Sequence, residues 1–124
     1  MEYIISGKVI RGDDYGKKIG FPTINLDRRG FVDMKKKPKF GVYAGTVLLA
    51  GVFYKAGIVI GPLDAKKLPK VEAHLIGYNG NAYGQRAVIE IKEYIRKYND
   101  FQSERGLIAQ INEDLRICKK IKLR

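Results

Sequence analysis

Fourteen residues near the start of the chain, Gly12-Asp13-Asp14-Tyr15-Gly16-Lys17-Lys18-Ile19-Gly20-Phe21-Pro22-Thr23-Ile24-Asn25, concentrate groups suited to a polyphosphate and a metal ion. Glycines at four-residue spacing let backbone approach phosphate oxygens, and successive N–H groups in such turns form anion-binding nests. Gly12, Gly16 and Gly20 are the backbone candidates, and Lys17 and Lys18 would add charge. Thr23 and Asn25 each carry an oxygen able to ligate Mg²⁺, a hard cation that keeps several waters and takes few protein ligands besides substrate phosphates. The same residue types also make an ordinary glycine-rich hairpin loop followed by a proline turn, because isolated glycine patterns are weak signals.

Glu72 is the candidate for acid/base work. In a strand over Val71 to Ile76, the two-residue period puts Val71, Ala73 and Leu75 on one face and Glu72 and His74 on the other. A carboxylate and an imidazole then project side by side, although a surface glutamate would show the same alternation. His74 is the sole histidine and Cys118 the sole cysteine. No second His or Cys stands at ligand spacing, so zinc and thiol chemistry are set aside and His74 reads as a hydrogen-bonded or substrate-contacting residue. Cys118 reads as a small core hydrophobe.

These groups need elements to position them. Tyr3 to Ile10 reads as a strand ending before Gly12; 12–20 is a loop, Thr23 to Leu26 a short extended piece, and 27–40 an excursion ending in the lysine cluster Lys35-Lys36-Lys37-Pro38-Lys39. Gly41 to Leu49 is apolar in both alternating registers, as a strand covered on both faces would be. Ala50-Gly51 allows a tight turn into Val52 to Ile60, which Gly61-Pro62-Leu63-Asp64 ends. After the loop 61–70, strand 71–76 and the turn-rich 78–84, a last strand from about Arg86 to Ile95 puts Ala87, Ile89, Ile91 and Ile95 on one face, with Glu93 as the offender, a bulge or an exposed end. The period then changes: Leu107, Ile111 and Leu115 recur every four residues, with Asp100 or Ser103 as N-cap and Glu104 in the first turn. Five or six locally connected strands and one terminal helix predict a mainly β, antiparallel barrel capped by that helix. Without βαβ alternation, a Walker loop or a Rossmann fingerprint, a doubly wound nucleotide-binding fold is not expected.

The chain has 124 residues, 45% of them apolar, which predicts a single domain spanning 1–124 with no linker. The lone cysteine, and the lack of an apolar leader or of the roughly 18-residue apolar run a membrane span needs, predict a cytoplasmic protein without a membrane partner. The formal charge of +11 allows a nucleic-acid partner. The basic residues are nevertheless spread along the chain, and the aromatics do not cluster with them into a stacking platform. Attraction of a small anionic substrate is the simpler account, and no polynucleotide partner is expected.

Three segments together resemble the riboflavin kinases. They are Ser6-Gly7-Lys8-Val9 through Gly20-Phe21-Pro22-Thr23-Ile24-Asn25; Gly41-Val42-Tyr43-Ala44 with Val71-Glu72-Ala73-His74-Leu75; and Tyr83-Gly84, Ile95-Arg96, Phe101, Ser103, Leu107, Gln110-Ile111 and Asp114. Their order and spacing match over nearly the whole chain, although Ile24 stands where the family commonly has alanine. The resemblance implies a six-stranded antiparallel Greek-key barrel with a C-terminal α-helix. It implies that Thr23 and Asn25 hold Mg²⁺, or another divalent ion, and the nucleotide phosphates, and that the loop with Gly12, Gly16, Lys17, Lys18 and Gly20 folds over those phosphates. Glu72 would be the general base, and Tyr83, Arg96, Phe101 and Leu107 would lie by the flavin. The reaction implied is transfer of the γ-phosphoryl group of a nucleoside triphosphate, expected to be ATP, to riboflavin, giving FMN. A monomer acting on these two small molecules is expected. Bacterial members commonly carry an adenylyltransferase domain, for which 124 residues leave no room, so a stand-alone kinase or an excised domain is expected. A flavin- or nucleotide-binding barrel without turnover, and a basic nucleic-acid-binding barrel, are the alternatives.

Overall fold

A computed structural model describes residues 3–123. Six strands close into an antiparallel barrel in the order β1-β2-β5-β4-β3-β6. They are β1 (Tyr3–Ile10), β2 (Ile24–Leu26), β3 (Gly41–Leu49), β4 (Val52–Leu63), β5 (Pro69–Leu75) and β6 (Arg86–Arg96). The connection from β2 to β3 passes over the barrel so that β2 lies beside β5, the Greek-key arrangement. The helix α3 (Glu104–Cys118) packs outside against β3 and β4, and two single turns, α1 (Tyr15–Lys18) and α2 (Arg29–Val32), interrupt the segments expected to be loop.

The alternation seen in the sequence is the wall of this barrel. Ile5 and Val9, Ile24 and Leu26, Val71, Ala73 and Leu75, and Ala87, Ile89 and Ile91 point inward and are buried. Their removal from water is the main stabilising term, about 1.5–3 kcal/mol for each fully buried large side chain. Between β3 and β4, Ala50 and Gly51 both take positive φ, of 50° and 79°, as a two-residue hairpin turn matched to strand twist requires.

β3 is apolar in both registers because both its faces are covered. Tyr43, Val47 and Leu49 fill the barrel. Outside, Ala44 lies under Leu115 and Cys118 of α3, with Ile95, Ile111 and Ile121 around them. Ser103 is the N-cap, its hydroxyl accepting from the Gly106 N–H at 3.0 Å, so Ser103 and not Asp100 starts the helix.

Three expectations are corrected. β4 does not end at Ile60 but resumes pairing at Leu63, opposite Pro69, which moves the start of β5 back to Pro69. β6 runs to Arg96 and carries two irregularities against β3: Tyr43 faces Tyr94 while Val42 faces Arg96, and Ala44 faces Glu93 while Gly45 faces Ile91. The extra residues at Lys92 and Ile95 shift the alternation, so Glu93 faces outward, Tyr94 turns toward Tyr43 and Ile95 joins the helix-side cluster. A charge that strict alternation would have buried is thereby left in water.

Candidate active site

One ladder row runs across all six strands on the outer face of the barrel. Ile10 pairs with Asn25, Asn25 with Glu72, Glu72 with Val59, Val59 with Val42, and Val42 with Arg96. The row beside it holds His74, Gly57 and Ala44. Strand pairing therefore sets Asn25 against Glu72 with no help from loops, and the apolar pair Val59–Val42 separates Glu72 from Arg96.

These rows floor a cleft of about 530 Å³. The first wall is the 11–20 loop with α1, contributing Asp13, Tyr15, Gly16 and Ile19, and then Phe21 and Thr23. The opposite wall is the segment from Arg96 through Tyr98 and Phe101 into α3, with Leu107, Ile111 and Asp114. Val42, Gly57, Val59, Lys70, Glu72 and His74 lie between them. The site is thus outside the barrel, whose interior is filled.

On the first wall, glycines make room for particular neighbours. A Cβ on Gly12 would stand 2.2 Å from Asn25 Nδ2, so Gly12 is the surface on which the Asn25 amide rests. A Cβ on Gly16 would stand 2.4 Å from the Phe21 carbonyl oxygen; the Phe21 N–H in turn donates to the Gly16 carbonyl at 2.7 Å, folding Phe21 back under the turn. Gly20 has φ +94° and an open surround. The Asp13 carboxylate accepts from the Tyr15 N–H at 3.1 Å and pairs with Lys70 at 3.4 Å. The Tyr15 hydrogen bond foremost, with Lys70 contributing against some burial, holds the Asp13 carboxyl below its ordinary range.

The floor holds Glu72. Burial pushes its carboxyl above the ordinary glutamate value and nearby Asp13 adds to the effect, while Lys70 and a hydrogen bond from the Thr23 side chain oppose it. His74 is held from two sides: its Nδ1 lies 2.7 Å from the Pro22 carbonyl oxygen, and Phe21 meets its ring edge-on at 5.8 Å. A carbonyl only accepts, so Nδ1 carries the proton. His74 thus anchors the 21–23 segment that presents Thr23.

On the far wall, Arg96 and Asp114 form a pair whose side chains are 18% and 8% exposed. Arg96 Nε and Nη2 donate to the carboxylate at 2.9–3.2 Å, and Nη1 donates to the Lys97 carbonyl at 3.1 Å. Gln110 adds a further donor to Asp114 at 3.0 Å, and the guanidinium lies 5.6 Å from the Phe101 ring centre. Arg96 is therefore committed to shaping the wall and orienting Phe101.

Six of the residues that the resemblance assigns to the site come together in the cleft, Gly16, Thr23, Glu72, Arg96, Phe101 and Leu107, and His74 lines it with them. Asn25 and Gly12 adjoin it through the ladder and their mutual contact. Lys17 and Lys18 are exposed on α1 outside the lining, as is Gly20 beyond it. Tyr83 lies outside the lining, with the Arg11 guanidinium 5.1 Å from its ring centre. Lys70 and Asp13 were not selected from the sequence as site residues. The signal for Lys70 was present, since it stands two residues before Glu72 and so shares its face.

Among the described residues no group of three or more His, Cys, Asp or Glu side chains is placed to hold a metal. The oxygens of Thr23 and Asn25, flanking one carboxylate, fit a hard cation that arrives with its phosphates and keeps its waters, not a caged structural ion. No helix is long and apolar enough to cross a membrane.

The barrel carries on its outside a cleft with one shielded carboxylate between a glycine-rich wall and an aromatic-lined one. The riboflavin kinase family model matches residues 1–122, and the chain belongs to that family. It is 33% identical over 125 residues to the bifunctional riboflavin kinase/FMN adenylyltransferase of Buchnera aphidicola, covering 95% of this chain and 38% of that protein. The Bacillus subtilis protein of the same description is 35% identical, with 90% and 36% covered. The bifunctional riboflavin kinase/FMN phosphatase of Arabidopsis thaliana is 36% identical, with 94% and 32% covered. The chain thus spans about a third of the length of these curated relatives. Among solved structures, the riboflavin kinase of Trypanosoma brucei superposes with a TM-score of 0.68 at 25% identity, covering 95% of this chain and 78% of that one. A Streptococcus pneumoniae structure described as a macrolide-efflux protein superposes at 0.85, also at 25% identity, covering 96% and 39%.

Proposed function

We propose that the domain transfers the γ-phosphoryl group of ATP to the ribityl 5′-hydroxyl of riboflavin, giving FMN and ADP. The observation that carries this reading is the placement of Glu72, a partly buried carboxylate of raised proton affinity on the cleft floor, hydrogen-bonded by the Thr23 side chain and separated from the Arg96 wall by Val59 and Val42. Phosphoryl transfer asks a protein for position and charge more than for covalent chemistry. Glu72 takes the hydroxyl proton, the oxygen bonds to the γ-phosphorus, and the bond from that phosphorus to the bridging oxygen breaks, its electron pair leaving with ADP. A base whose proton affinity lies nearer neutrality than a free glutamate's is better matched to this step, and such catalysis is typically worth about 10²–10⁴-fold.

Thr23 and Asn25 would hold a Mg²⁺ ion, which would screen the charge of the nucleotide phosphates. Gly12, Gly16 and Gly20 let the loop approach those phosphates, with Lys17 and Lys18 adding charge at its edge. Phe101 and Leu107 supply an apolar face for the isoalloxazine ring, with Arg96 holding Phe101 to it; Tyr83, beside Arg11 and outside the lining, has no part in it. The domain acts in the cytoplasm as a monomeric unit, 1–124, with no polynucleotide partner.

The test is purified protein with riboflavin, Mg²⁺ and each of four nucleoside triphosphates, with FMN followed by chromatography. FMN is expected with ATP, and Glu72→Gln is expected to bind riboflavin while losing most of the rate. No FMN with any donor would overturn the kinase reading. Quenched flavin fluorescence without product would leave a binding barrel, and no quenching would remove the flavin altogether.

A further inference from the structure

Two cationic side chains line the cleft, Lys70 and Arg96. Arg96 is committed, with Nε and Nη2 on Asp114 and Nη1 on the Lys97 carbonyl. Lys70 is not committed in that way. It enters from β5 two residues before Glu72, so strand period puts both on the outer face. Its side chain is 37% exposed, and among the described residues it pairs with the Asp13 carboxylate at 3.4 Å, itself 63% exposed. Tyr98, on the opposite wall, is near enough to act on its charge.

We infer that Lys70 is the cation this site sets against the phosphoryl group in transfer, with Asp13 as the anion that holds it in the resting cleft. The inference rests on the kinase reading above. Lys70 and Glu72 line the same cleft from one strand face, so a γ-phosphoryl group beside Glu72 has this ammonium near it, and charge spreads over the equatorial oxygens during transfer. An ammonium has three rotatable donors, so Lys70 can serve a phosphoryl oxygen and remain beside Glu72. An exposed ion pair at 3.4 Å is weak and screened, so a polyanion displaces Asp13 easily. Asp13 is not orphaned by the exchange, because its Oδ1 keeps the Tyr15 N–H at 3.1 Å. Burial works against the Lys70 charge, but Glu72 and Asp13 more than offset it and hold its proton affinity above the ordinary lysine value. Lys17 and Lys18, the cations the sequence suggested, stand outside the lining.

The experiment pairs two readouts: calorimetric binding of inorganic tripolyphosphate, which needs no turnover, and steady-state kinetics of FMN formation. Lys70→Met is expected to weaken tripolyphosphate at least about tenfold and lower kcat about 10²-fold, the scale of losing one preorganised donor at a transition state, with the KM for riboflavin unchanged. Lys70→Arg restores binding and part of kcat. Asp13→Asn binds tripolyphosphate more tightly than wild type, because a competing anion is gone. Lys17→Gln/Lys18→Gln loses less than Lys70→Met in both readouts, as exposed charge at the edge of the site does. Lys70→Met within threefold of wild type in both readouts, or a larger loss in Lys17→Gln/Lys18→Gln, overturns the inference. If wild type makes no FMN yet binds tripolyphosphate through Lys70, the kinase reading falls and the cation assignment stands. If FMN forms and Lys70→Met is indifferent, the reverse holds.

Discussion

The α3 wall of the cleft closes on Arg96 and Asp114, a largely buried pair in which every oxygen of the carboxylate has a donor. The 11–20 wall closes on Lys70 and Asp13, a single longer contact between side chains that remain substantially exposed. Breaking the first leaves a charge stranded in low dielectric, whereas breaking the second returns both groups to water. The α3 wall is also stitched to the barrel by Leu115 and Cys118 over Ala44, while the 11–20 wall carries one helical turn with no buried residue. One wall is a fixed surface suited to a rigid aromatic ligand. The other is an adjustable one, suited to a flexible polyanion that brings its own charge.

The floor between the walls provides the largest expected effect. Glu72→Gln should lower kcat by about 10²–10⁴-fold. The same substitution should raise thermal stability near neutral pH, because burial lifts the Glu72 proton affinity above its free value of 4.5. Between the unfolded and the folded pKa the native state keeps a proton the unfolded state has lost, so stability declines as pH rises through that window. The stability gain of Glu72→Gln should therefore be present at pH 7.5 and vanish toward pH 4, as read by calorimetric melts. In kcat/KM, the acidic limb should lie above the ordinary glutamate value if, as proposed, the ionised form of Glu72 is the base. A glutamine variant less stable than wild type at pH 7.5 would mean that Glu72 is a structural residue.

Next in size is the fixed wall. Asp114→Ala should cost about 3–5 kcal/mol by stranding Arg96, whereas Arg96→Met/Asp114→Leu should cost much less than that. Urea unfolding of the two variants measures the difference. Equal losses would show that the pair is not what fixes this wall.

Gly12→Ala probes the adjustable wall without touching its charges. The added Cβ would press on the Asn25 amide, which can swing away, so stability should change little. Displacing that amide by about 1 Å should nevertheless lower kcat by up to about 10²-fold. A large drop in melting temperature with a normal rate would reverse that expectation.

The smallest effects give the most direct contrast. Ser103→Ala, which removes the hydroxyl accepting from Gly106 at the start of α3, should cost about 1 kcal/mol. Asp13→Asn, on the other wall, should change stability by less than about 1 kcal/mol, and less still in high salt. Urea melts at two salt concentrations compare them directly.

Much of this was legible in the chain itself. Val71-Glu72-Ala73-His74-Leu75 states a half-buried strand outright, because a period of two needs no knowledge of partners, and the Leu107, Ile111, Leu115 spacing states a helix with one covered face. Gly41 to Leu49 announced cover on both sides without saying what the covers were. Tertiary structure had to decide where neighbours force a departure from local pattern. Two irregularities in β6 turned Tyr94 inward and Ile95 toward α3, a choice made by pairing with β3. The same holds for charge: Lys17 and Lys18 are the lysines the glycine-rich stretch displays, but the lysine in the cleft is Lys70, placed there by the register that sets β5 between β2 and β4. Sequence determined which residues could act together along one strand or one helix, because those periods are properties of the backbone. Which residues meet across strands was decided only when the barrel closed, since ladder register depends on all six strands at once.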